Sequence, residues 1–319
     1  MICKLKMYVS VLTMTLPTFA FAGVCKNIEP NIPYLKRFKT ELSTAFSREC
    51  PFFIVENNST DRTQDLLISW AATDPSCFVK VETIPNDVLL GLCRAKTWDN
   101  KPCRMECIAM ARNKLVNMVK NSNIFKTLDY IVMIDLDNPN PFPISSFKKH
   151  FNQMIELDLD AMICNGGPDP SFQYDAYAFR NATFPFGPEV IGERFWRDIH
   201  NISAAVNTVE PYLDVVSAFN GCCVFKKTAF SELEYSGIVT AEVDRYYRKY
   251  KDILGKTKAE THKDGTLLGC YEFGTDGIWY YFNSGYNQAV ICEHLHAFCR
   301  LREKGFTKIK LAKDFWWKW

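Results

Sequence analysis

The stretch FFIVENNSTDRTQDLL, residues 52–67, decides the fold. Its first residues, 52–55, are apolar without alternation, which is typical of a strand buried on both faces. Polar residues follow from Glu56 onward, and a helix is then predicted with Asp61 as its N-cap and Gln64 three residues later. A buried strand that leads through a polar loop into a helix is the unit of a sheet that binds ligands at its strand ends.

The same alternation continues through the first half of the chain. Further strands are predicted over 18–25, 78–81 and 131–134, and helical periodicity is found over 34–46, 61–72 and 103–121. This pattern predicts an α/β fold with a mostly parallel sheet covered by helices. No repeat or long polar linker divides the chain. Residues after about 165 are therefore expected to complete the same domain, with a long loop over 166–188.

The composition limits the class of ligand. The chain has 319 residues, of which 47% are hydrophobic and 14% aromatic, so a globular protein is predicted. There are 38 Lys and Arg residues against 36 Asp and Glu residues, and this near balance gives no indication of a nucleic-acid partner. A small ligand is the better expectation.

A second motif, DYIVMIDLDNPNPF at 129–142, places two carboxylates at a strand end. Asp135 and Asp137 follow a buried strand, and side chains two residues apart on an extended chain point the same way. Two converging carboxylates suit Mg²⁺ or Mn²⁺, which commonly bridge to phosphate. Solvated loop carboxylates or helix caps are the alternative, but the position after a buried strand favours a metal site.

A third motif, RMECIAMARNKLVNMVK at 104–120, predicts a helix with a charge on its apolar stripe. Arg112 lies on that stripe and must meet an anion or extend to solvent. Two partners remain open on periodicity alone. One is an internal carboxylate, and the other is a nucleotide diphosphate, with Asn113 as a second contact.

The N-terminus allows two interpretations. Lys4 and Lys6 precede an apolar run over 7–22, and cleavage after Ala22 would fit a secretory signal peptide. The alternative is that 18–25 is the first strand of the sheet. The apolar run of 16 residues is short for a membrane-spanning helix, so no transmembrane segment is predicted.

The number of cysteines fits both interpretations of the N-terminus. There are 13, so at least one thiol is unpaired in either case. Cys93, Cys103 and Cys107 lie close together in the sequence but lack the paired spacing of a zinc site. Buried or free thiols are predicted there.

Taken in order, the motifs resemble a known family. VCKNIEPNIPYL at 24–35, VENNSTDRT at 55–63, ARNKL at 111–115 and MIDLDN at 133–138 resemble the nucleotide-sugar half of glycosyltransferases with the GT-A fold, a match that spans 18–138. YDAYAFR at 174–180, NGCCVFKK at 220–227 and CEHLHAFCRLREKG at 292–305 resemble the fungal capsule-associated mannosyltransferase-like branch. The resemblance implies a Rossmann-like single domain with a nucleotide-sugar-binding half over 18–165 and an acceptor-binding half over 166–319, after an N-terminal extension over 1–17.

The resemblance assigns donor-site roles to residues of the first half. They are Val24 and Asn27 near the base, Glu56 at the nucleoside, Asp61 as a ligand contact, Arg112 and Asn113 at the diphosphate, Asp135 near the sugar or ribose and as a metal ligand, and Asp137 as the surer metal ligand. Local structural roles are the alternatives. Asn27 could satisfy a turn, and both Glu56 and Asp61 could cap the helix that follows.

In the second half, Tyr174 and Asp175 match a pair that faces the donor sugar or the acceptor, although a hydrogen bond within the loop is the alternative. His294 and His296 are candidates to complete the metal site, against an ordinary structural role. Glu293 or Asp175 would be the general base of an inverting enzyme. In a retaining enzyme the leaving phosphate shares that task, and the resemblance favours this route.

The resemblance therefore implies a metal-dependent enzyme, with Mn²⁺ or Mg²⁺, that moves a hexosyl group from a GDP- or UDP-sugar to a glycan or glycoprotein. Mannosyl transfer from GDP-mannose is the specific expectation. It also favours an uncleaved, cytoplasmic protein with reduced cysteines, because cleavage after Ala22 would remove most of the first strand. The secretory pathway is the alternative. Two other functions remain open, a sugar-nucleotide nucleotidyltransferase and a secreted, cysteine-rich carbohydrate-binding protein without catalysis. The oligomeric state is not predicted.

Overall fold

The computed structural model describes residues 17–169, 175–197, 199–206, 210–254, 270–272, 278–281 and 285–319. Almost all of the predicted N-terminal extension and Tyr174 lie outside these ranges.

An eight-stranded sheet forms the centre of the described chain. Its strands are β1 (Phe19–Cys25), β2 (Phe52–Asn57), β3 (Cys77–Glu82), β4 (Tyr130–Ile134), β5 (Ala161–Gly167), β6 (Tyr212–Asp214), β7 (Cys222–Lys226) and, after a separate antiparallel pair of β8 (Cys270–Glu272) and β9 (Trp279–Tyr281), β10 (Ile309–Lys318). The order across the sheet is β3-β2-β1-β4-β7-β5-β10-β6. Only β6 and β7 run against the other six, so the predicted mostly parallel α/β sheet is confirmed.

Helices cover both faces of this sheet. Those within the described ranges are α1 (Ile32–Phe46), α2 (Thr63–Thr73), α3 (Asn86–Leu92), α4 (Arg104–Lys120), α5 (Ile144–Glu156), α6 (Pro188–Ile191), α7 (Glu193–Arg197), α8 (Ile199–Val206), α9 (Lys227–Ser231), α10 (Ala241–Arg248), α11 (Lys251–Leu254) and α12 (Glu293–Glu303). The predicted helices over 34–46, 61–72 and 103–121 correspond to α1, α2 and α4. Their observed ends lie within two residues of the predicted ones.

The stretch that imitates a signal-peptide cleavage site is a central strand. β1 pairs in parallel with β2 on one side and β4 on the other, and residues 19–22 are almost completely buried. Phe19 and Phe21 pack on the face covered by α1 and α5, whereas Ala20 and Ala22 pack on the face covered by α4. The small alanine side chains let α4 lie close to the strand, so the alternation of large and small residues in FAFA sets the spacing of both layers.

Aromatic packing fixes the α1 and α5 side of the core. The Phe19 ring meets the Phe46 and Phe151 rings edge to face, with centroid distances of 4.8 and 5.2 Å. The Phe21 ring meets that of Phe38 in the same way at 5.5 Å. Such pairs contribute roughly 0.5–1.5 kcal/mol each beyond the burial of their area. The first strand and α1 are therefore held as one unit.

The second half of the chain completes the same sheet. β7 inserts antiparallel between β4 and β5, and β10 returns from the end of the chain to pair with β5 and β6. The carboxyl ends of β1, β2 and β4 consequently meet at one edge, with α12 and the segment before β7 beside them. Parallel sheets of this kind bind ligands at that edge.

No helix within the described ranges is both long enough and apolar enough to cross a bilayer. Eleven of the 13 cysteines have described side chains, and each of these is a free thiol.

Candidate active site

A cavity of about 750 Å³ opens where β1, β2 and β4 end. Its size falls within the roughly 300–1,000 Å³ of ordinary small-molecule sites. The residues at these strand ends are Val24 to Asn27, Asn57, Asn58, Asp135 and Asp137, and the other walls include Asn86, Leu89, Arg104, Arg112, Asp175, Tyr177, Phe219, Cys292, Glu293 and His294. Both halves of the chain thus contribute to one cavity.

Charge is distributed unevenly along this cavity. Arg104 begins α4 and Arg112 lies eight residues further on, which corresponds to about 12 Å along the helix axis. The N-terminal end of α4 carries Arg104, and Lys26 also lines the cavity. Around Arg112, by contrast, the lining contains the carboxylates of Asp135, Asp175 and Glu293, and Asp137 adds a fourth carboxylate near Asp135. The cavity has a basic and an acidic end.

Gly23 allows the first strand to lie against the turn that carries the carboxylate pair. A Cβ at this position would stand 2.6 Å from the carbonyl oxygen of Ile134 and 2.6 Å from Cγ of Leu136. The backbone N–H of Asp135 donates to the carbonyl of Gly221 at 2.8 Å, which holds the other side of the turn. Backbone packing thus fixes the turn that carries Asp135 and Asp137.

Arg112 is an internal counter-ion. It is almost completely buried, and its Nε donates to Oε1 of Glu293 at 3.0 Å while Nη2 donates to Oδ1 of Asp135 at 3.2 Å. The guanidinium carbon lies 4.7 Å from the ring centroid of Phe219. Burial lowers the pKa of Arg112, but the two carboxylates more than compensate, so its pKa is raised. Of the two partners left open by the sequence, the structure places internal carboxylates on this side chain.

Two of the carboxyl groups hold protons unusually tightly. Burial raises the pKa of Asp135 to about 6, although Arg112 opposes the rise. Burial, together with the charges of Glu293 and Asp135, raises the pKa of Asp175 to about 7. A carboxyl group that titrates near neutrality can accept a proton in a reaction, which is the property expected of a general base.

The two candidate histidines have different surroundings. His294 lines the cavity and stacks on Phe219 with ring centroids 3.8 Å apart, and neither of its ring nitrogens has a hydrogen-bond partner in the described chain. Nδ1 of His296 instead lies 2.9 Å from Oγ1 of Thr240. Positions two apart on a helix point about 200° apart, which explains the difference. Burial lowers the pKa of both histidines, so both are neutral.

Val24 and Asn27 line the cavity, and their contact with a nucleotide base stays a prediction. Asn27 also makes a turn. Its φ is 55°, its Oδ1 accepts the N–H of Thr60 at 2.7 Å and its own N–H donates to Oγ of Ser59 at 2.8 Å. Both interpretations of Asn27 thus have structural support.

Glu56 does not line the cavity but lies beneath it. The side chain is fully buried, and Oε1 accepts the N–H of Ser59 at 2.7 Å. This bond shapes the loop whose residues Asn57 and Asn58 do line the cavity. A nucleoside contact by Glu56 stays a prediction.

Asp61 and Asn113 also lie outside the cavity lining. The carboxylate of Asp61 accepts the N–H groups of Thr63 at 3.0 Å and Glu29 at 3.2 Å, and α2 begins at Thr63, one residue later than the predicted cap implies. Asn113 donates to the carbonyl of Tyr235 and accepts its N–H, at 2.9 and 2.8 Å. Both side chains are therefore engaged in local backbone support.

Sequence reasoning did not single out Phe219 and Asn220. Phe219 covers both Arg112 and His294, and the fully buried Asn220 accepts the N–H of Asp175. The available signal was the dipeptide Asn220-Gly221 directly before a strand, which is a strong turn indicator.

The metal-ligating side chains of the cavity supply only some of the ligands that a divalent cation needs. In the described ranges, no three His, Cys, Asp or Glu side chains converge closely enough to hold a metal ion. Asp137 and the neutral His294 nevertheless line the same cavity, and Nε2 of His294 lies 3.5 Å from Oε1 of Glu293. Mg²⁺ and Mn²⁺ sites often take only one or two protein ligands and complete their shell with substrate phosphate and water, so these residues fit an ion that arrives with a phosphorylated ligand.

The sequence matches no protein-family model and no curated protein. Among solved structures, the chain is similar to a mannosyltransferase from Pyrobaculum calidifontis in complex with GDP-Man and Mn²⁺, with 14% identity, a TM-score of 0.37 and coverage of 67% of this chain and 45% of that one. It is also similar to the glucosyl-3-phosphoglycerate synthase from Mycobacterium tuberculosis in complex with Mn²⁺, UDP and phosphoglyceric acid, with 13% identity, a TM-score of 0.38 and coverage of 75% and 66%.

A third similar structure is the mannosyl-3-phosphoglycerate synthase from Rubrobacter xylanophilus, with 10% identity, a TM-score of 0.39 and coverage of 75% of this chain and 62% of that one. The chain spans about half of the first of these proteins and somewhat less than two thirds of the other two. Similarity at TM-scores below 0.5 does not by itself establish a shared activity.

Proposed function

We propose that the protein is a metal-dependent glycosyltransferase that moves a hexosyl group from a nucleotide sugar to a hydroxyl group of a glycan or glycoprotein. The specific donor we propose is GDP-mannose, and the specific stereochemical course is retention. One observation carries the proposal. Asp135 and Asp137 at the end of β4 share a cavity with Arg112, Asp175 and Glu293, which come from three other parts of the chain.

The two ends of the cavity support this assignment. A nucleotide sugar combines a polar base, an anionic diphosphate and a neutral sugar. Lys26, Arg104 and the N-terminus of α4 favour negative charge, and asparagine side chains line the same cavity. The acidic end would then receive the sugar. In this arrangement residues 18–165 supply most of the donor site, and residues 166–319 supply the groups that face the acceptor.

A divalent cation would be held by Asp137 and His294, with Asp135 close by. When bound, such an ion neutralises the charge that develops on the diphosphate as it leaves. The protein's own contribution is to orient these ligands. The Gly23 contact and the Gly221 hydrogen bond fix the Asp135–Asp137 turn, and the stack on Phe219 fixes the imidazole plane.

In the reaction, the bond between the anomeric carbon and the diphosphate oxygen breaks, and a bond from that carbon to the acceptor oxygen forms. The acceptor loses one proton. Asp175 is better placed than Glu293 to receive it in an inverting course, because Glu293 is already bound to Arg112 whereas the pKa of Asp175 is raised to about 7. In a retaining course the leaving diphosphate takes the proton, and Asp175 orients the acceptor hydroxyl.

The test is isothermal titration calorimetry of the full-length protein with UDP, GDP and their common sugar conjugates, in Mn²⁺ and then in EDTA. We expect binding of one nucleotide class that requires the metal and that is lost in Asp137→Asn. Asp65→Asn is the matched control, because Asp65 is an exposed carboxylate on α2 outside the cavity lining. A folded protein that binds none of these ligands would refute the proposal and return attention to a non-catalytic binding protein. Binding of a nucleoside triphosphate together with a sugar phosphate would favour a nucleotidyltransferase.

A further inference from the structure

The turn at Asn220 and Gly221 lies directly beneath the acidic end of the cavity. Both residues have positive φ, 51° and 85°, and Asn220 is fully buried. Asparagine and glycine are the residues that adopt this left-handed conformation most readily. The preceding residue, Phe219, reaches the cavity and covers Arg112 and His294.

This turn holds the backbones of two cavity carboxylates at once. Oδ1 of Asn220 accepts the N–H of Asp175 at 3.2 Å, and Nδ2 of Asn220 donates to the carbonyl of Cys164 in β5 at 3.1 Å. The carbonyl of Gly221, the next residue, accepts the N–H of Asp135 at 2.8 Å. Asp135 and Asp175 are 40 residues apart in the sequence, yet adjacent residues of one turn fix both of them.

The turn is braced from the side opposite the cavity. A Cβ on Gly221 would stand 2.3 Å from the indole of Trp319, and Nε1 of Trp319 donates to the carbonyl of Asn220 at 3.4 Å. Movement of the turn towards Trp319 would produce a steric clash, and movement away from β5 would break the hydrogen bond to the carbonyl of Cys164. It acts as a rigid spacer between the two carboxylates.

We propose that Asn220 is a positioning residue that sets Asp175 at its working distance from the Asp135 turn. The inference rests on the proposed function, because it assigns the Asn220 amide to the placement of the carboxylate that orients the acceptor hydroxyl. The two carboxylates are held differently. A side-chain bond holds Asp175, whereas a backbone bond holds Asp135. Loss of the Asn220 side chain should therefore release Asp175 alone.

The decisive variants are Asn220→Gly and Asn220→Asp. Glycine keeps the positive φ but removes the side chain, so any effect comes from the lost amide and not from backbone strain. Aspartate tolerates the same φ. In this fully buried position it should be protonated, so one oxygen can accept the N–H of Asp175 while the hydroxyl donates to the carbonyl of Cys164. Asn100→Gly is the matched control, because Asn100 is an exposed asparagine with a φ of 60° and is outside the cavity lining.

The first measurement is amide hydrogen exchange followed by NMR, which does not depend on activity. In Asn220→Gly we expect exchange at the Asp175 amide to become about tenfold faster or more, because the loss of a hydrogen bond of ordinary strength gives a factor of this size. The Asp135 amide should be unchanged. Asn220→Asp should restore most of the protection. Equal exchange at Asp175 in the wild type and in Asn220→Gly would overturn the proposal, and so would equal acceleration at both amides.

The second measurement is steady-state kinetics with the donor identified by calorimetry. We expect Asn220→Gly to lower kcat by about 10- to 100-fold, since small misplacements of a reacting group have effects of this order. Donor affinity should stay within about threefold, and Asn220→Asp should recover most of kcat. If kcat and donor affinity fall together, Asn220 only supports the fold and the assignment is wrong. Failure of the wild type to bind a donor would refute the proposed function, while the exchange result still decides whether Asn220 fixes Asp175.

Discussion

Arg112 should make a pH-dependent contribution to stability, and Arg112→Met isolates it. Methionine keeps an unbranched side chain of similar reach but removes the charge and the hydrogen-bond donors. In the wild type, the guanidinium binds Glu293 at 3.0 Å and Asp135 at 3.2 Å. The side chains of Arg112 and Glu293 are only 5% and 6% exposed, so solvent can replace little of the lost interaction.

The expected magnitude follows from the burial of these groups. Removing one partner of a buried ion pair typically costs about 3–5 kcal/mol, because it leaves an uncompensated charge in the interior. We therefore expect Arg112→Met to lower the free energy of unfolding by about 3–5 kcal/mol at pH 8, where Asp135 is ionised. At pH 5 the carboxyl group of Asp135 in the variant should bind a proton and become neutral. The loss should then fall to about 1–2 kcal/mol, the cost of unmade hydrogen bonds.

The sign of the pH dependence follows from the pKa of Asp135, which is already raised to about 6 in the wild type. A carboxyl group with a raised pKa binds its proton more tightly in the folded state than in the unfolded state. Its favourable contribution is complete below the unfolded pKa and is lost as the pH rises through the folded pKa. Without Arg112 the folded pKa of Asp135 should rise further, so the variant loses stability over a wider pH range.

The assay is urea unfolding followed by circular dichroism at pH 5 and pH 8, with reductant present for the free thiols. Arg245→Met is the matched control. Arg245 also binds a carboxylate, Glu303 at 2.8 Å, but its side chain is 55% exposed, so its removal should cost at most about 1 kcal/mol at either pH. An equal loss at both pH values in Arg112→Met would refute this reasoning and would assign its effect to packing on Phe219.

Two further predictions concern the reaction. The rate constant kcat/KM should rise with pH through about 7 with unit slope, because Asp175, whose pKa is raised to about 7, must be ionised to accept the hydrogen bond of the acceptor hydroxyl, or its proton in an inverting course. Asp175→Asn should lower kcat about 10²- to 10⁴-fold and remove this step, and a step that persists in the variant would place the base elsewhere. His294→Gln should weaken Mn²⁺-dependent donor binding at least about tenfold in calorimetry, whereas His296→Gln should leave it unchanged. Equal weakening in both variants would contradict the assignment of His294.

The ends of the strands in the first half could be predicted from the sequence because they depend on residues that are adjacent in the chain. An apolar run without alternation, followed at once by polar residues, indicates both a buried strand and the edge at which it ends. This pattern correctly placed β2 and β4 and brought Asp135 and Asp137 to the cavity. It left two interpretations of the N-terminus open, and the resemblance favoured the one in which 18–25 is a strand, which β1 confirms.

Contacts between distant segments could not be predicted in the same way. Arg112 and Glu293 are 181 residues apart, and periodicity shows only that the arginine needs an anion, not which one. The bonds of Asn113 with the backbone of Tyr235 depend on how the segment before α10 packs on α4, which no local pattern encodes. Composition and motif order thus locate the site, whereas tertiary packing decides which of its polar groups remain free.

The binding of a cation and the binding of protons at this site affect each other, because both involve the carboxylates that line the cavity. Four carboxylates line the acidic end, and Arg112 contacts two of them. Burial is the main cause of the raised pKa values of Asp135 and Asp175, and the neighbouring carboxylates raise both further. A divalent ion at Asp137 would supply positive charge and lower both pKa values. The donor complex that brings the cation would thereby also ionise Asp175, the group that the proposed reaction needs in its basic form.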